Sequence, residues 1–480
     1  MAASTSTPEG ESFLCKPDGK ATTQPKERVS HQHESSDRFV VVDRSYSQQF
    51  SDMYFLRLAK LKPTLEKAAQ NAWEDYELDG QQAKPVTKAL DVRPGEVCWV
   101  TGTIYMDMPL KPNILEDIQK EMFTDLVVPA REKYTDNGIS QTMLEDESGR
   151  LVLSGTVLSS ANLVTGAIVS LLGRESSDGA FEVIDYRLPE LPLQKPLSPE
   201  SCRRGKKIAF ASGLLVNGSG LDGLNTHLLV DYLLGEAGGS EDHEEASQIT
   251  RLVLCGNSIG APANPVDTLT TPDEKKRVVK KYGYDASAYN PSPTAALDNI
   301  LTDLLTSLHV TILPGELDPA NVSMPQQQLH SALFTGANLY HDSTFERATN
   351  PWEATVDGVS IIAASGQNLD DVYKYLEGDD RLNMCEQLLR WRNIAPTAPD
   401  TLWSYPFQDR EPFVLEEDEC PHLLVVGNQP SFKTSVVQGN QGQKVRVVLL
   451  PKFEETGEIV VVDLETLDTE VVGFGFVNAS

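Results

Sequence analysis

Hydrophobic and polar positions follow a helical period near the start of the chain. Apolar residues recur three or four positions apart between Ser47 and Trp73, which predicts an amphipathic helix that is interrupted or kinked near Pro63. Its apolar stripe is interpreted as a packing face, and residues 39–90 as an N-terminal helical segment. Residues 1–38 are rich in Ser, Thr, Gln, Glu and Lys and have almost no large apolar side chains. Because such a composition cannot offset the entropy lost on folding, this arm is predicted to be disordered.

The period changes to two between Gly95 and Arg187. Short runs rich in β-branched residues follow one another there, each bounded by Gly, Ser or Asp. This spacing, together with a long connection that contains residues 113–122, predicts a five-stranded OB-type barrel with one inserted helix or loop over residues 91–188. OB barrels often bind single-stranded nucleic acid through aromatic side chains over a basic groove. Here aromatic residues are sparse and no basic residues are interleaved with them, so a protein-docking module is favoured.

A second domain is predicted for the rest of the chain. Prolines break the periodicity over residues 189–206, which indicates an interdomain linker. From 207–480 predicted strands alternate with predicted helices, which is typical of an α/β layer sandwich, and the last apolar runs indicate antiparallel strands. Residues 235–248 are acidic and Gly-rich, and residues 261–293 are polar with a charged cluster. Both stretches are predicted to be solvated insertions.

Composition narrows the classes of function. Lys and Arg number 41 and Asp and Glu number 70, which gives a formal net charge of −29. Because nucleic-acid affinity rests largely on Lys and Arg that neutralise phosphates, contact with DNA is expected only through a complex. No apolar run approaches the roughly 18 residues of a membrane span, and no signal or transit peptide is visible, so a soluble intracellular protein without membrane attachment is expected. The six cysteines stand singly, which argues against structural zinc and disulfide bonds.

Loops that follow the predicted strands of the second domain are the candidate site. Ligand sites of α/β sheets form at the carboxyl ends of strands. The loops are Ser212–Leu214, Gly256–Gly260, Gly315–Asp318, Ser365–Gln367 and Gly427–Pro430. Their order resembles that of the calcineurin-type metallophosphoesterases, in which Asp, Asn and His side chains of these loops hold two metal ions. In that family the metals polarise a phosphate and activate a water.

The resemblance implies that the metal ligands have been lost here. The ligand positions are occupied by Ser212, Leu214, Asn257, Gly260, Glu316, Leu317, Gln367, Asn428 and Pro430. Leu, Gly and Pro have no side-chain donor, and neutral Asn, Gln and Ser are poor substitutes for carboxylate and imidazole. We therefore predict no catalytic residue and no metal ligand. Glu316 and Asp318 are the acids left in these loops, where they either hold one weak hard ion or, as we favour, brace the loop.

An OB-type barrel followed by such a sandwich resembles the B-type accessory subunits of eukaryotic replicative DNA polymerases. Particular strings sharpen the resemblance to the small subunits of DNA polymerase delta. They include "LPGELDPAN" from Leu313, "SGQNLDDVYKY" from Ser365 and "CPHLLVVGNQPSF" from Cys420. The resemblance runs from about Phe39 to Gly475. It departs from the family in the arm and in the two polar insertions.

The resemblance implies a non-catalytic scaffold in the nucleus that supports DNA replication and repair synthesis. Its expected partners are the cysteine-rich C-terminal domain of the catalytic subunit and the third subunit, which links the assembly to the sliding clamp. No cofactor of its own is expected, and a metal or iron-sulfur cluster is expected on the catalytic subunit. Partner-binding residues are not assignable from the sequence. The aromatic stretch 396–407 is compatible with an interface anchor or with burial in the domain core.

Two other functions compete with this interpretation. One is an active metal-dependent phosphodiesterase or exonuclease, which the ligand census disfavours. The other is a free single-strand-binding OB module, which would show an affinity that falls steeply with salt.

Overall fold

The computed structural model describes residues 26–42, 44–45, 47–112, 132–135, 140–218, 223–262, 290–341 and 343–475. The described chain starts with strand β1 (His33–Ser35) and helix α1 (Ser51–Trp73). Helix α1 begins at Ser51 rather than at Ser47 and is not interrupted at Pro63. Its predicted stripe is a packing face, as expected: Leu58, Leu61 and Leu65 pack against Ile168 of the barrel and Val414 of the second domain.

The barrel has the predicted OB topology. Strands β2 (Glu77–Leu78) and β3 (Gln81–Gln82) form a hairpin, and β4 (Lys84–Val86) precedes the barrel strands β5 (Val97–Asp107), β6 (Gln141–Glu145), β7 (Arg150–Ser154), β8 (Ile168–Glu175) and β9 (Phe181–Arg187). Hydrogen bonds join them in the order β5-β6-β7-β9-β8, and β8 pairs back onto β5, so five strands close the barrel. Helix α2 (Val157–Ser160) connects β7 to β8. The predicted insertion at residues 113–122 lies outside the described residues.

The second domain contains two six-stranded mixed sheets. Its helices are α3 (Glu200–Arg203), α4 (Leu224–Leu234), α5 (Ser240–Gln248), α6 (Ser292–Leu305), α7 (Gln367–Tyr375), α8 (Arg381–Arg390) and α9 (Phe453–Thr456). Its own strands are β10 (Lys207–Ala211), β11 (Ile249–Cys255), β12 (His309–Leu313), β13 (Phe345–Arg347), β14 (Trp352–Val356), β15 (Val359–Ala364), β16 (Leu423–Gln429), β17 (Lys433–Gln438), β18 (Lys444–Pro451), β19 (Glu458–Asp463) and β20 (Thr469–Gly473). The first sheet has the order β1-β14-β15-β16-β18-β17, and the second has the order β13-β12-β11-β10-β19-β20.

The sheets pack face to face between outer layers of helices. A buried apolar core joins Phe210 and Val253 of the second sheet to Ile361 and Val425 of the first. Helices α4 and α6 cover the outer face of the second sheet. Helices α7 and α8 cover the outer face of the first sheet, and the separate apolar core beneath them continues into the barrel. The fold is therefore an OB barrel followed by a mixed α/β sandwich, and among the described residues no helix combines the length and apolarity needed to cross a membrane.

The predicted disorder of residues 1–38 is wrong for its described part. Residues 26–42, here called the N-terminal strap, lie along the second domain. The Arg28 guanidinium donates to backbone carbonyls at or just beyond the ends of α4, α5 and α6 at 2.6–2.9 Å, β1 pairs antiparallel with β14, and Phe39 is buried. The prediction failed because it counted apolar side chains, whereas a guanidinium and main-chain pairing anchor most of the strap. Residues 1–25 lie outside the described part.

Residues 189–206 run from the barrel to the second domain and pack against it, because Leu191 is buried and Gln443 Nε2 donates to Pro192 O at 3.1 Å. One further prediction needs correction. The acidic stretch 235–248 is not a solvated loop, because it contains helix α5. Asp242 Oδ2 accepts the Gly239 N–H at 2.6 Å at the start of this helix. Most of the other polar stretch, residues 263–289, lies outside the described chain.

Candidate functional site

The five candidate loops meet at one end of the sandwich. The first four follow β10, β11, β12 and β15, and the fifth overlaps the end of β16, where the register shifts between Val426 and Gln429. The carboxyl ends of parallel strands lie at the same edge of a sheet. Gly213 N donates to Gly256 O at 2.9 Å. A side chain on Gly256, whose φ is +79°, would come within 2.4 Å of Ser365 Cβ. The structure thus brings together positions that the sequence separates by more than 200 residues.

The Ser212 hydroxyl in the first loop and the Asn428 side-chain amide in the last loop form hydrogen bonds with other groups of the protein. Ser212 is fully buried, and its Oγ donates to Pro451 O at 3.0 Å and accepts from Asn428 N at 2.9 Å. Asn428 Nδ2 donates to Ser365 O at 2.7 Å and to Cys255 O at 3.2 Å. Both side chains therefore tie loops of the two sheets to each other.

The second and third loops are held together by side-chain acceptors. Asn257 Oδ1 accepts the Leu317 N–H at 2.9 Å. The two oxygens of Asp318 accept the Ile259 N–H at 2.9 Å and the Gly315 N–H at 2.8 Å. Burial raises the pKa of Asp318, and hydrogen bonds from the backbone oppose that rise. Asp318 therefore braces the loops, as favoured from the sequence.

Four polar side chains form what we call the amide cluster: Gln326, Asn350, Ser365 and Gln367. Asn350 Nδ2 lies 2.8 Å from Gln326 Oε1 and 3.0 Å from Gln367 Oε1, and Asn350 Oδ1 accepts from Ser365 N at 3.0 Å. Gln367 Nε2 donates to Gln326 Oε1 at 2.9 Å, and Gln326 Nε2 donates to Gly315 O at 3.1 Å. Asn350 and Gln326 are almost fully buried. Sequence reasoning identified Gln367 and missed these two.

The side chains at the ligand positions of the five loops do not fit a two-metal centre. Leu214 and Gly260 carry no side-chain donor, and Glu316 and Pro430 are exposed at the surface. Asn428 Oδ1 has no hydrogen-bond partner in the described part of the chain, but a single neutral amide oxygen does not replace a carboxylate or an imidazole. Within the described ranges no three His, Cys, Asp or Glu side chains are grouped as metal ligands.

A second polar cluster anchors the strap. We call it the strap cluster: His31, His33, Arg251, His309 and Glu346. The rings of His31 and His309 lie 4.6 Å apart, and His33 Nε2 lies 3.0 Å from Glu346 Oε2. His31 Nε2 accepts from Arg251 Nε at 3.3 Å. Burial, followed by the charge of Arg251, lowers the pKa of His31 to about 3, so this ring is neutral near pH 7.

The aromatic stretch 396–407 divides between core and surface. Tyr405 and Phe407 are buried with Phe39 and Phe413. Trp403 is 63% exposed. Burial in the domain core therefore holds for two of its aromatic residues and not for the third.

Known proteins match both domains. A family described as "DNA polymerase delta subunit OB-fold domain" matches residues 49–186, and the family of the B-type subunits of DNA polymerases alpha and epsilon matches residues 208–434. The chain is 37% identical over 453 residues to the DNA polymerase delta small subunit of Arabidopsis thaliana, covering 93% of this chain and 96% of that protein. It is 34% identical over 467 residues to the DNA polymerase delta small subunit of Saccharomyces cerevisiae, covering 89% and 90%. The DNA polymerase II small subunit of Pyrococcus horikoshii is 24% identical over 57% of this chain and 42% of its own length.

Proposed function

The chain belongs to the family of DNA polymerase delta small subunits, and from this premise we propose that it is the non-catalytic scaffold of the polymerase delta complex. Family membership supports an accessory subunit that associates with other polymerase delta subunits and has a nuclear replication role. The observation that carries the proposal is the use of the five loops. Their buried and half-buried polar side chains bind backbone groups and, at Gln367, the amide cluster, so they fix the shape of the sandwich instead of presenting ligands.

In this proposal the sandwich is a calcineurin-like phosphodiesterase fold with a degenerate site. The position of the loops at the carboxyl ends of parallel strands supports it, because phosphoesterase ligands stand there. The replacement of acids and imidazoles by residues such as Ser212, Asn257 and Asn428 supports it further. A degenerate site of this kind suits a scaffold. Neutral amides hold the loops together without the free-energy penalty of removing charged side chains from water.

The proposed partners are the cysteine-rich C-terminal domain of the catalytic subunit and the third subunit. The sliding clamp is reached through the third subunit, and DNA is contacted only through the complex. A net charge of −29 suits a basic, metal-bearing partner domain by electrostatic complementarity. The metal or iron-sulfur cluster then belongs to that domain, and this chain needs no cofactor of its own.

Co-purification tests the scaffold proposal. The full chain is mixed with the isolated cysteine-rich C-terminal domain of a polymerase delta catalytic subunit and run on size exclusion at moderate salt, with metal analysis of free and bound fractions. We expect a 1:1 complex whose metal belongs wholly to the partner domain. A cysteine-rich domain from an unrelated protein serves as the control. Absence of a complex, together with two metals bound to this chain alone, would overturn the proposal.

The neighbouring acids Glu316 and Asp318 separate the scaffold from the alternative, a metal-dependent phosphodiesterase. Asp318→Ala removes two hydrogen bonds from backbone N–H groups, so it should lower the free energy of unfolding by about 1–3 kcal/mol. Glu316→Ala removes an exposed side chain and should change it by less than about 0.5 kcal/mol. Chemical denaturation measures both. A metal-dependent stabilisation that either substitution abolishes would instead favour the enzyme.

A further inference from the structure

A groove of about 660 Å³ lies between the β17–β18 hairpin and residues 189–206, here called the proline-rich segment. Leu193 and Leu197 form one side and Val436 of β17 forms part of the other. These side chains are 46%, 38% and 42% exposed, so the groove presents apolar surface to solvent. Strand β17 is the last strand of the first sheet, at the opposite edge from β1. The groove shares no residue with the five candidate loops.

The walls of the groove are fixed by their own hydrogen bonds. Gln194 Nε2 donates to Lys444 O at 2.7 Å, and Gln194 Oε1 accepts from Lys444 N at 3.0 Å. His422 Nδ1 accepts a backbone N–H, so its Nε2 carries the proton and donates to Lys195 O at 2.8 Å. Gln443 Nε2 adds a hydrogen bond to the same proline-rich segment. A ligand would therefore not have to order these walls when it binds.

The charge of the lining is opposite to that of the chain. Lys195, Lys444 and Arg446 line the groove, and no Asp or Glu does, although acids outnumber bases by 70 to 41 overall. Arg446 pairs with Asp468 at 2.8 Å, just outside the lining. Lys195 lies 3.9 Å from Asp418, and both side chains are about two-thirds exposed, which makes that pair weak. Lys195 and Lys444 thus remain to meet an anionic ligand.

We propose that this groove docks an extended acidic peptide of another protein. Its carboxylates would meet Lys195 and Lys444, and its apolar side chains would pack on Leu193, Leu197 and Val436. An extended peptide fits because one wall is an extended segment and the other is an edge strand. A nucleic-acid strand fits less well, since the lining holds no Phe, Tyr or Trp on which bases could stack. A second copy of the chain is disfavoured by the repulsion between two molecules of charge −29.

Peptide selection on the full chain tests this proposal. A random dodecapeptide library is selected against the protein, and the recovered peptides are labelled with fluorescein for anisotropy titrations. We expect sequences that combine Asp or Glu with Leu, Ile or Val. The double variant K195E/K444E should weaken binding about tenfold, V436S should weaken it severalfold, and K195R/K444R should retain it.

Matched controls locate the effect. K84E/K88E makes the same charge change at two exposed lysines in and just after β4, and V471S changes a valine that is 37% exposed on edge strand β20. Both should leave binding unchanged, and all variants should keep the wild-type unfolding midpoint. If K195E/K444E unfolds, K195Q/K444Q replaces it.

Four results would overturn the proposal. They are recovery of no binder, recovery of basic or uncharged peptides, equal losses in K195E/K444E and K84E/K88E, and competition by a single-stranded oligonucleotide as strong as that by the unlabelled peptide. The last result would mean that the groove binds anions without recognising a peptide.

Discussion

The amide cluster and the strap cluster join distant segments with opposite chemistry. In the amide cluster, neutral side chains such as Asn350 and Gln326 are almost fully buried, and Asn350 Nδ2 lies 2.8 Å from Gln326 Oε1 and 3.0 Å from Gln367 Oε1. In the strap cluster, Glu346 accepts from Arg251 at 3.2 Å and contacts His33 at 3.0 Å, and its side chain is 24% exposed. Hydrogen bonds between neutral groups, as in the amide cluster, keep their strength when pH and salt change, whereas contacts between charged groups, as in the strap cluster, do not. The loops should therefore stay fixed under conditions that release the strap.

The largest expected effect on the free energy of unfolding comes from disrupting the amide cluster. Asn350→Leu keeps a similar volume but removes the hydrogen bonds of Asn350 Nδ2 to Gln326 Oε1 and Gln367 Oε1 and leaves the Ser365 N–H without its acceptor. Because an unsatisfied buried N–H costs about 1–3 kcal/mol and each lost hydrogen bond costs about 0.5–1.5 kcal/mol, we expect a loss of about 2–4 kcal/mol. Urea denaturation measures it.

The matched control for this change is Asn71→Leu, which lies on the exposed face of α1. It should alter the free energy of unfolding by less than about 0.5 kcal/mol. If both variants were equally stable, the amide cluster would not hold the loops together.

Much of the fold and of the loop positions could be predicted from the sequence. Period-two runs located strands of the barrel, and apolar runs that end in Gly, Asn or Ser located the loops now found after β10 and β11 and at the end of β16. These signals are local: they depend on residues that are neighbours in the chain. The position of Asn257 two residues after a strand, for example, placed it at the edge where the five loops meet.

Contacts between distant residues explain what the sequence did not reveal. Arg28 binds carbonyl groups that lie more than 200 positions away, so no local pattern marks residues 26–38 as ordered. Helix α5 has few apolar side chains and is held by tertiary packing, with Ala246 buried. Asn350 and Gln326 each stand next to a proline in a polar run, a weak signal that predicts a turn and not a shared cluster.

An intermediate effect is expected from Arg28→Ala, which removes four hydrogen bonds from the strap to backbone carbonyls of the second domain. Arg28 donates to Leu233 O and Ala246 O at 2.6 Å, and to Ser307 O at 2.9 Å. Loss of these bonds should cost about 1–2 kcal/mol, because the guanidinium is only partly buried. Amide hydrogen exchange should show faster exchange in residues 27–36 and unchanged protection in the candidate loops.

Lys26→Ala is the matched control for that experiment. Lys26 forms an ion pair with Glu244, and both side chains are about half exposed, so its removal should cost less than about 0.5 kcal/mol. Equal exchange in the two variants would mean that strand pairing alone holds the strap.

The smallest effect is a loosening of the strap in mild acid. Burial and Arg251 lower the pKa of His31 from 6.5 to about 3 in the folded protein, and a released strap would restore the ordinary value. A base with a lowered folded pKa weakens the folded state as pH falls below its unfolded value, so the penalty grows from about pH 6.5 downward. Burial would raise the pKa of Glu346, but hydrogen bonds from His33 and Ser35 hold it at about 2, so this carboxylate stays ionised at pH 5.5.

Exchange measured at pH 7.5 and pH 5.5, each corrected for the intrinsic pH dependence of amide exchange, isolates His31. We expect protection of residues 27–36 to fall at pH 5.5 in the wild type and to fall less in His31→Gln, whose side chain does not titrate. The amide cluster has no titratable member, and protonation of nearby Asp318, whose pKa is raised, favours the folded loops, so their protection should not fall. An equal loss of protection in the strap and in the candidate loops would show that acid loosens the whole domain. The proposed contrast between the strap cluster and the amide cluster would then be wrong.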